Sequence, residues 1–160
     1  MSTSVYAKGT SVSVERSEAE LRSLLSKHGA DALMVGHDAS EGRAFVAFRI
    51  RGQAVRLDVP LPKLEDFRHY IHAAWGRRKR DDVETRKAHE QASRERWRAL
   101  VLLTKAKLEA VQIGFSSIER EFMHDLLTPS GKTVGQLWRG GEMASILGET
   151  NVPLLPAAGG

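Results

Sequence analysis

The stretch RAFVAFRIRGQAVRLDV, residues 43–59, decides the fold. Apolar and polar side chains alternate on both sides of Arg51-Gly52, and a two-residue join between alternating runs is the signature of a β-hairpin. Closing the hairpin there pairs Ile50 with Gln53, Phe48 with Val55, Val46 with Leu57 and Ala44 with Val59. That register collects an unbroken apolar set on one face, because strand side chains alternate with period two. The opposite face then carries Arg43, Phe45, Ala47, Arg49 and Arg51 from one strand, and Ala54, Arg56 and Asp58 from its neighbour.

Upstream, Ala32 to Val35 reads as a third extended segment, reached through the turn-rich residues His37 to Gly42. Before it, Ser17 with Glu20 matches a capping box, Leu21, Leu24 and Leu25 make an apolar stripe, and Gly29 supplies a stop. A helix is therefore expected from about Glu18 to His28. Residues 1–16 lack periodicity and read as a flexible N-terminal arm that lies on the surface or pairs with another subunit.

Downstream, Pro60 and Pro62 end the sheet. Leu64, Phe67, Ile71, Ala74 and Trp75 have the spacing of a short amphipathic helix, and the basic run Arg77, Arg78, Lys79, Arg80 reads as a loop. Asp81 and Asp82 suit a helix start. No Gly or Pro follows until Gly114, which predicts a helix of about 30 residues. Ser116 with Glu119 predicts a further helix to about Leu127, Thr128 to Gly131 a turn, and Thr133 the cap of a last short helix. Residues 149–160 read as a disordered tail. The expected architecture is a single α+β domain over residues 17–148, comprising an N-terminal helix, a three-stranded antiparallel sheet, a long helix and C-terminal helices.

The 160 residues contain no cysteine, which removes disulfides, cysteine-type zinc and iron-sulfur sites and thiol nucleophiles from consideration. Lys and Arg number 24 against 20 Asp and Glu, a net charge of +4. The excess is concentrated: residues 43–107 hold 17 basic against 8 acidic residues, leaving 7 against 12 elsewhere. A basic region of this kind attracts polyanions. No apolar stretch approaches the roughly 20 residues that span a bilayer, so no membrane partner is expected and the expected compartment is the cytoplasm.

Among candidate chemistries, the sheet face with Arg43, Arg49, Arg51, Arg56 and Phe45 carries most weight. Arginines hold phosphates by charge and paired hydrogen bonds, and an aromatic ring among them stacks unpaired bases. Asp58 is the one acid the hairpin places on that face, fewer than a face built only for solubility would carry. Arg77, Arg78, Lys79 and Arg80 extend the basic surface as a clamp. Gly131-Lys132-Thr133 ends like a phosphate-binding loop, but Leu126 stands where that motif needs its first glycine, so the tripeptide is assigned to turn and cap. His69 and His72, with Glu65 and Asp66 nearby, fall short of a metal pattern, and Glu119, Glu121, His124 and Asp125 crowd one helix surface without forming a triad. The expectation is a binding protein with no enzymatic activity, cofactor or metal.

Residues 11–30, 44–62 and 94–138 resemble a set of small tailed-phage proteins of unassigned function, a likeness that covers most of the chain and carries no functional residue with it. If the chain is phage-encoded, its compartment is the host cytoplasm. The order helix, three-stranded meander, long helix is also similar to that of single-strand annealing recombination proteins, by topology alone. Together with the basic face, these likenesses imply a nucleic-acid partner, single-stranded DNA first, in replication or recombination, with several copies acting together. An inhibitor or adaptor docked on a host protein is the competing expectation.

Overall fold

The computed structural model describes residues 7–38, 42–73 and 76–143, with side chains at 70–73 and 77 outside the description. Helix α1 spans Val14–Lys27, and strands β1 (Ala30–Asp38), β2 (Arg43–Ile50) and β3 (Gln53–Pro60) form an antiparallel sheet in the order β1-β2-β3. The β2–β3 register is the expected one throughout, from Ile50 opposite Gln53 to Ala44 opposite Val59. Arg51 and Gly52 have φ of +49° and +78°, the double positive φ of a type I′ turn that matches strand twist.

The apolar face of this hairpin is the floor of the core. Ala44, Val46, Phe48, Ile50, Val55, Leu57 and Val59 are all buried. Helix α2, Asp82–Gln112, lies against them with Trp97, Val101 and Leu108, and α1 adds Leu21 and Leu25. The chain then turns at Gly114 into α3, Ile118–Phe122, whose Phe122 meets Phe48 edge-on at 5.9 Å. Leu126 and Leu127 return to β3, where the Leu127 amide donates to the Ala54 carbonyl at 2.8 Å and shields part of an open strand edge. Helix α4, Val134–Arg139, is opened by Thr133, whose hydroxyl accepts from the Gln136 amide, as expected.

Several expectations are corrected. α1 begins a turn early: Ser13 is its cap, accepting from the Arg16 amide, while Ser17 is buried inside the helix. Packing of Val14 on the core extends the helix past the Ser17–Glu20 pattern. Likewise Ser117, not Ser116, caps α3, and the helix stops at Phe122 because the chain must swing back to β3. The described part of the arm is docked on α2 from Ala7 onward: the Gly9 amide donates to Glu95 and Gln91 donates to the Thr10 carbonyl. The tail, 149–160, lies outside the described residues.

The expected amphipathic helix after Leu64 is one 3-10 turn, Leu64–Phe67, followed by a two-stranded ribbon of β4 (Tyr70–Ala73) and β5 (Gly76–Lys79). Ala74 and Trp75 lie outside the described residues. The turn is pinned to α2, with His89 edge-on to Phe67 and its Nε2 2.9 Å from the Pro62 carbonyl oxygen. Gly76 at φ +114° permits the reversal that pairs Ile71 with Arg78. The basic run is therefore a strand with one residue beyond it and not a loop.

Candidate nucleic-acid interface

No described helix covers the outer face of the three-stranded sheet; α1, α2 and α3 all contribute to the core on the other side. The backbone pairing sets its residues in rows across β1, β2 and β3: Asp31, Arg49, Ala54; then Met34, Ala47, Arg56; then Gly36, Phe45, Asp58; then Asp38, Arg43, Pro60. Rows of same-facing residues are about 7 Å apart along a strand. Arg51 stands at the turn beyond the first row.

This grid corrects the charge expected of the face. β1 brings Asp31 and Asp38 beside Asp58, so each gridded arginine has an aspartate near it. Arg49 Nε lies 3.0 Å from Asp31, with both side chains more than half exposed. Arg56 Nε lies 2.9 Å from Asp58, and this pair is about three-quarters covered. Arg43 stands opposite Asp38, and neither is free. Both β1 aspartates fall outside Ala32 to Val35, the only part of that strand the sequence reads as extended, and Asp31 is hidden further by a bulge between Asp31 and Met34, with Ala32 at φ +50°, that breaks the alternation. Asp38 was recoverable by continuing the β2 register to the strand ends.

Phe45 is on the expected face but is not an open platform. Its ring lies over Gly36, so closely that a Cβ there would sit 2.2 Å from the ring edge. The Arg56 guanidinium lies over the ring at 4.6 Å from the centroid, a cation–π contact that takes ring surface away from any incoming base. Gly36 thus serves as the seat of an aromatic ring on a neighbouring strand, a role the sequence signals only as a glycine within an extended run.

The second basic cluster is separate from this grid. Arg78 binds Glu84, the third residue of α2, by two hydrogen bonds, the longer 2.7 Å, and Arg80 donates to the Phe67 carbonyl. The Arg78 guanidinium, and then the Asp81 amide, hold the Glu84 carboxyl down to about 2. Lys79 is exposed and engaged, and Arg77 lies on β5 with its side chain outside the description. The structure brings Arg43, Arg49, Arg56 and Phe45 together on the outer face of the sheet and leaves Arg77 to Arg80 on the ribbon; Arg51, in the turn after β2, lies instead on the helix side beside Leu108 and Ile118, which corrects its expected place on that face.

Among the described residues no group of three His, Asp or Glu is placed to hold a metal, and no helix is long and apolar enough to cross a membrane. His69 precedes β4 and is not on a helix, which removes the i, i+3 relation expected with His72. Comparison with protein-family models, curated proteins and solved structures returned no match.

Proposed function

We propose that this chain binds nucleic acid, single-stranded DNA in the first instance, across the outer face of its three-stranded sheet, as a phage protein of replication or recombination. The observation that carries the reading is that no described helix covers this face, which holds Arg43, Arg49 and Arg56 in separate rows. The aspartate beside Arg49 does not prevent phosphate binding there. An exposed pair such as Arg49–Asp31 contributes at most about 1 kcal/mol, so a phosphate that takes over the guanidinium gives up little. With Phe45 covered, a base stacks on the Arg56 guanidinium, whose plane is a known surface for unpaired bases. The ribbon carrying Arg77, Arg78 and Lys79 adds a second basic element of a shape that fits a groove or clamps a strand.

One small domain offers few phosphate contacts, so several copies on one strand supply the affinity. Fluorescence anisotropy with a labelled single strand and the duplex of the same sequence tests the reading. Tighter binding of the single strand is expected; no binding of either at low salt overturns it.

A second reading, an adaptor or inhibitor on a host protein, is favoured by Ile113 and Phe115, each 79% exposed in the turn after α2. Recovery of a protein partner from nuclease-treated host lysate, lost when both residues become Ser, is its expected result.

A further inference from the structure

Helix α2 carries two seams of residues set four and three apart in alternation, the spacing at which helices pair. The first, Trp97, Val101, Thr104, Leu108 and Val111, faces the core. The second, Ala99, Leu103, Ala106, Ala110 and Ile113, is shifted by two residues, about 200° around the helix, and so points away from the sheet. It holds no charged residue, yet Leu103 is 56% exposed, Ile113 is 79% exposed, and Ala106 between them is exposed as well. A helix with one covered side ordinarily places charge on the other. Upstream of the seam the docked arm meets α2 at Gln91 and Glu95; from Leu103 onward the large apolar side chains stand open.

The order of sizes along this second seam is self-complementary. Turned end for end about Ala106, a second copy sets its own Ala106 against Ala106, its Ala110 against Leu103 and its Ala99 against Ile113. Each large side chain then meets a small one, as interdigitating helices require. A parallel pair would instead set Leu103 on Leu103 and Ala110 on Ala110, crowding one layer and leaving a gap in the next. Charge agrees with the antiparallel setting. Lys105 and Glu109 flank the seam on one side, 3.9 Å apart and both more than half exposed, an ion pair that contributes little in water. In the antiparallel pair Glu109 comes level with residue 103 of the other copy, within one helical turn of that copy's Lys105, so opposite charges face each other along the flank.

We infer that this seam is a homodimer interface, in which two copies of the chain pair α2 against α2, antiparallel about Ala106. The paired stretch, residues 99–113, is about 20 Å long, a short contact that suits a dimer forming and separating with concentration. Because the sheet packs on the opposite side of α2, the outer face of each sheet stays open in the dimer. The inference stands on α2 and does not depend on the nucleic-acid reading.

Sedimentation equilibrium of the full chain, free of nucleic acid and carried from micromolar to millimolar concentration, is the first test. A reversible monomer–dimer equilibrium is expected, weakened at least about tenfold in Leu103→Glu/Ile113→Glu, which buries charge at the pairing surface and leaves the core of the single chain untouched. The second test uses the absence of cysteine from the chain. Ala106→Cys is expected to give a disulfide-linked dimer under mild oxidation. Leu103→Cys is not, because its two copies stand about 9 Å apart along the antiparallel pair, beyond disulfide reach. A monomer at every concentration overturns the interface, whether residues 144–160 or a host protein covers the seam instead. A dimer unaffected by Leu103→Glu/Ile113→Glu overturns it as well, and Leu103→Cys linking as readily as Ala106→Cys overturns the antiparallel pairing.

Discussion

The Arg56 guanidinium sits 4.6 Å from the centroid of the Phe45 ring, and the tip of that ring lies over Gly36. The three residues form a stack across the sheet in which each position depends on the next. Gly36→Ala is expected to push the ring outward and break the stack. Because the ring is only partly buried and can swing, the cost is about 1 kcal/mol, toward the low end for overpacking. Urea denaturation checks the magnitude, and in a Phe45→Ala background the penalty of Gly36→Ala is expected to disappear.

Arg51 is held at φ +49° in a turn whose ideal pair is Asn-Gly. Arg51→Asn is expected to raise stability by about 0.5–1 kcal/mol through relief of the left-handed strain. Thermal or urea denaturation that shows Arg51→Asn less stable than wild type would mean that Arg51 makes a stabilising contact outweighing the turn geometry.

Ser13 and Ser17 lie one helical turn apart in α1 and have opposite roles. Ser13 accepts from the Arg16 amide as the helix cap, whereas the Ser17 hydroxyl is fully buried with no hydrogen-bond partner among the described residues. Ser13→Ala is expected to cost about 1 kcal/mol. Ser17→Ala removes an unsatisfied buried hydroxyl and is expected to be neutral or stabilising by up to about 1 kcal/mol. Chemical denaturation of the two variants side by side separates the positions.

The link between the ribbon and α2 titrates in acid. Glu84 falls from 4.5 to about 2 because Arg78 donates to its carboxylate and the Asp81 amide donates as well. A depressed carboxyl stabilises the fold above its unfolded pKa, and that contribution is lost as pH falls from about 4.5 through about 2. NMR titration of the Glu84 side-chain carboxyl is expected to give a midpoint near 2, moving part of the way back toward 4.5 in Arg78→Ala, since the Asp81 amide remains.

The hairpin of β2 and β3 was legible to the residue because two constraints agree: strict alternation on both strands and a two-residue turn that leaves one register. The long helix was legible because Asp81 caps it with Glu84 and no breaker interrupts it. Where only one constraint operated, the reading drifted. Leu64, Phe67 and Ile71 have helical spacing, yet Tyr70 to His72 pair across to β5, a nonlocal preference that spacing cannot register. The Ser-x-x-Glu pattern fitted Ser17 and Ser116, but tertiary packing set the true caps at Ser13 and Ser117. The site divides the same way. Its arginines and Phe45 follow from the hairpin, whereas Asp31 is hidden behind the β1 bulge, and the seat beneath Phe45 depends on a strand pairing the sequence does not specify.

The most direct test of the proposed sheet interface is the salt dependence of single-strand binding by anisotropy, for wild type and for Arg49→Gln/Arg56→Gln, which keeps much of each side-chain stem in place. Each phosphate contact contributes a slope of about −0.7 in log affinity against log salt on a single strand. The account predicts a steep wild-type slope and one shallower by about 1.4 in the double variant, two contacts at about 0.7 each. Identical slopes in the two proteins, or binding with no salt dependence, would contradict it.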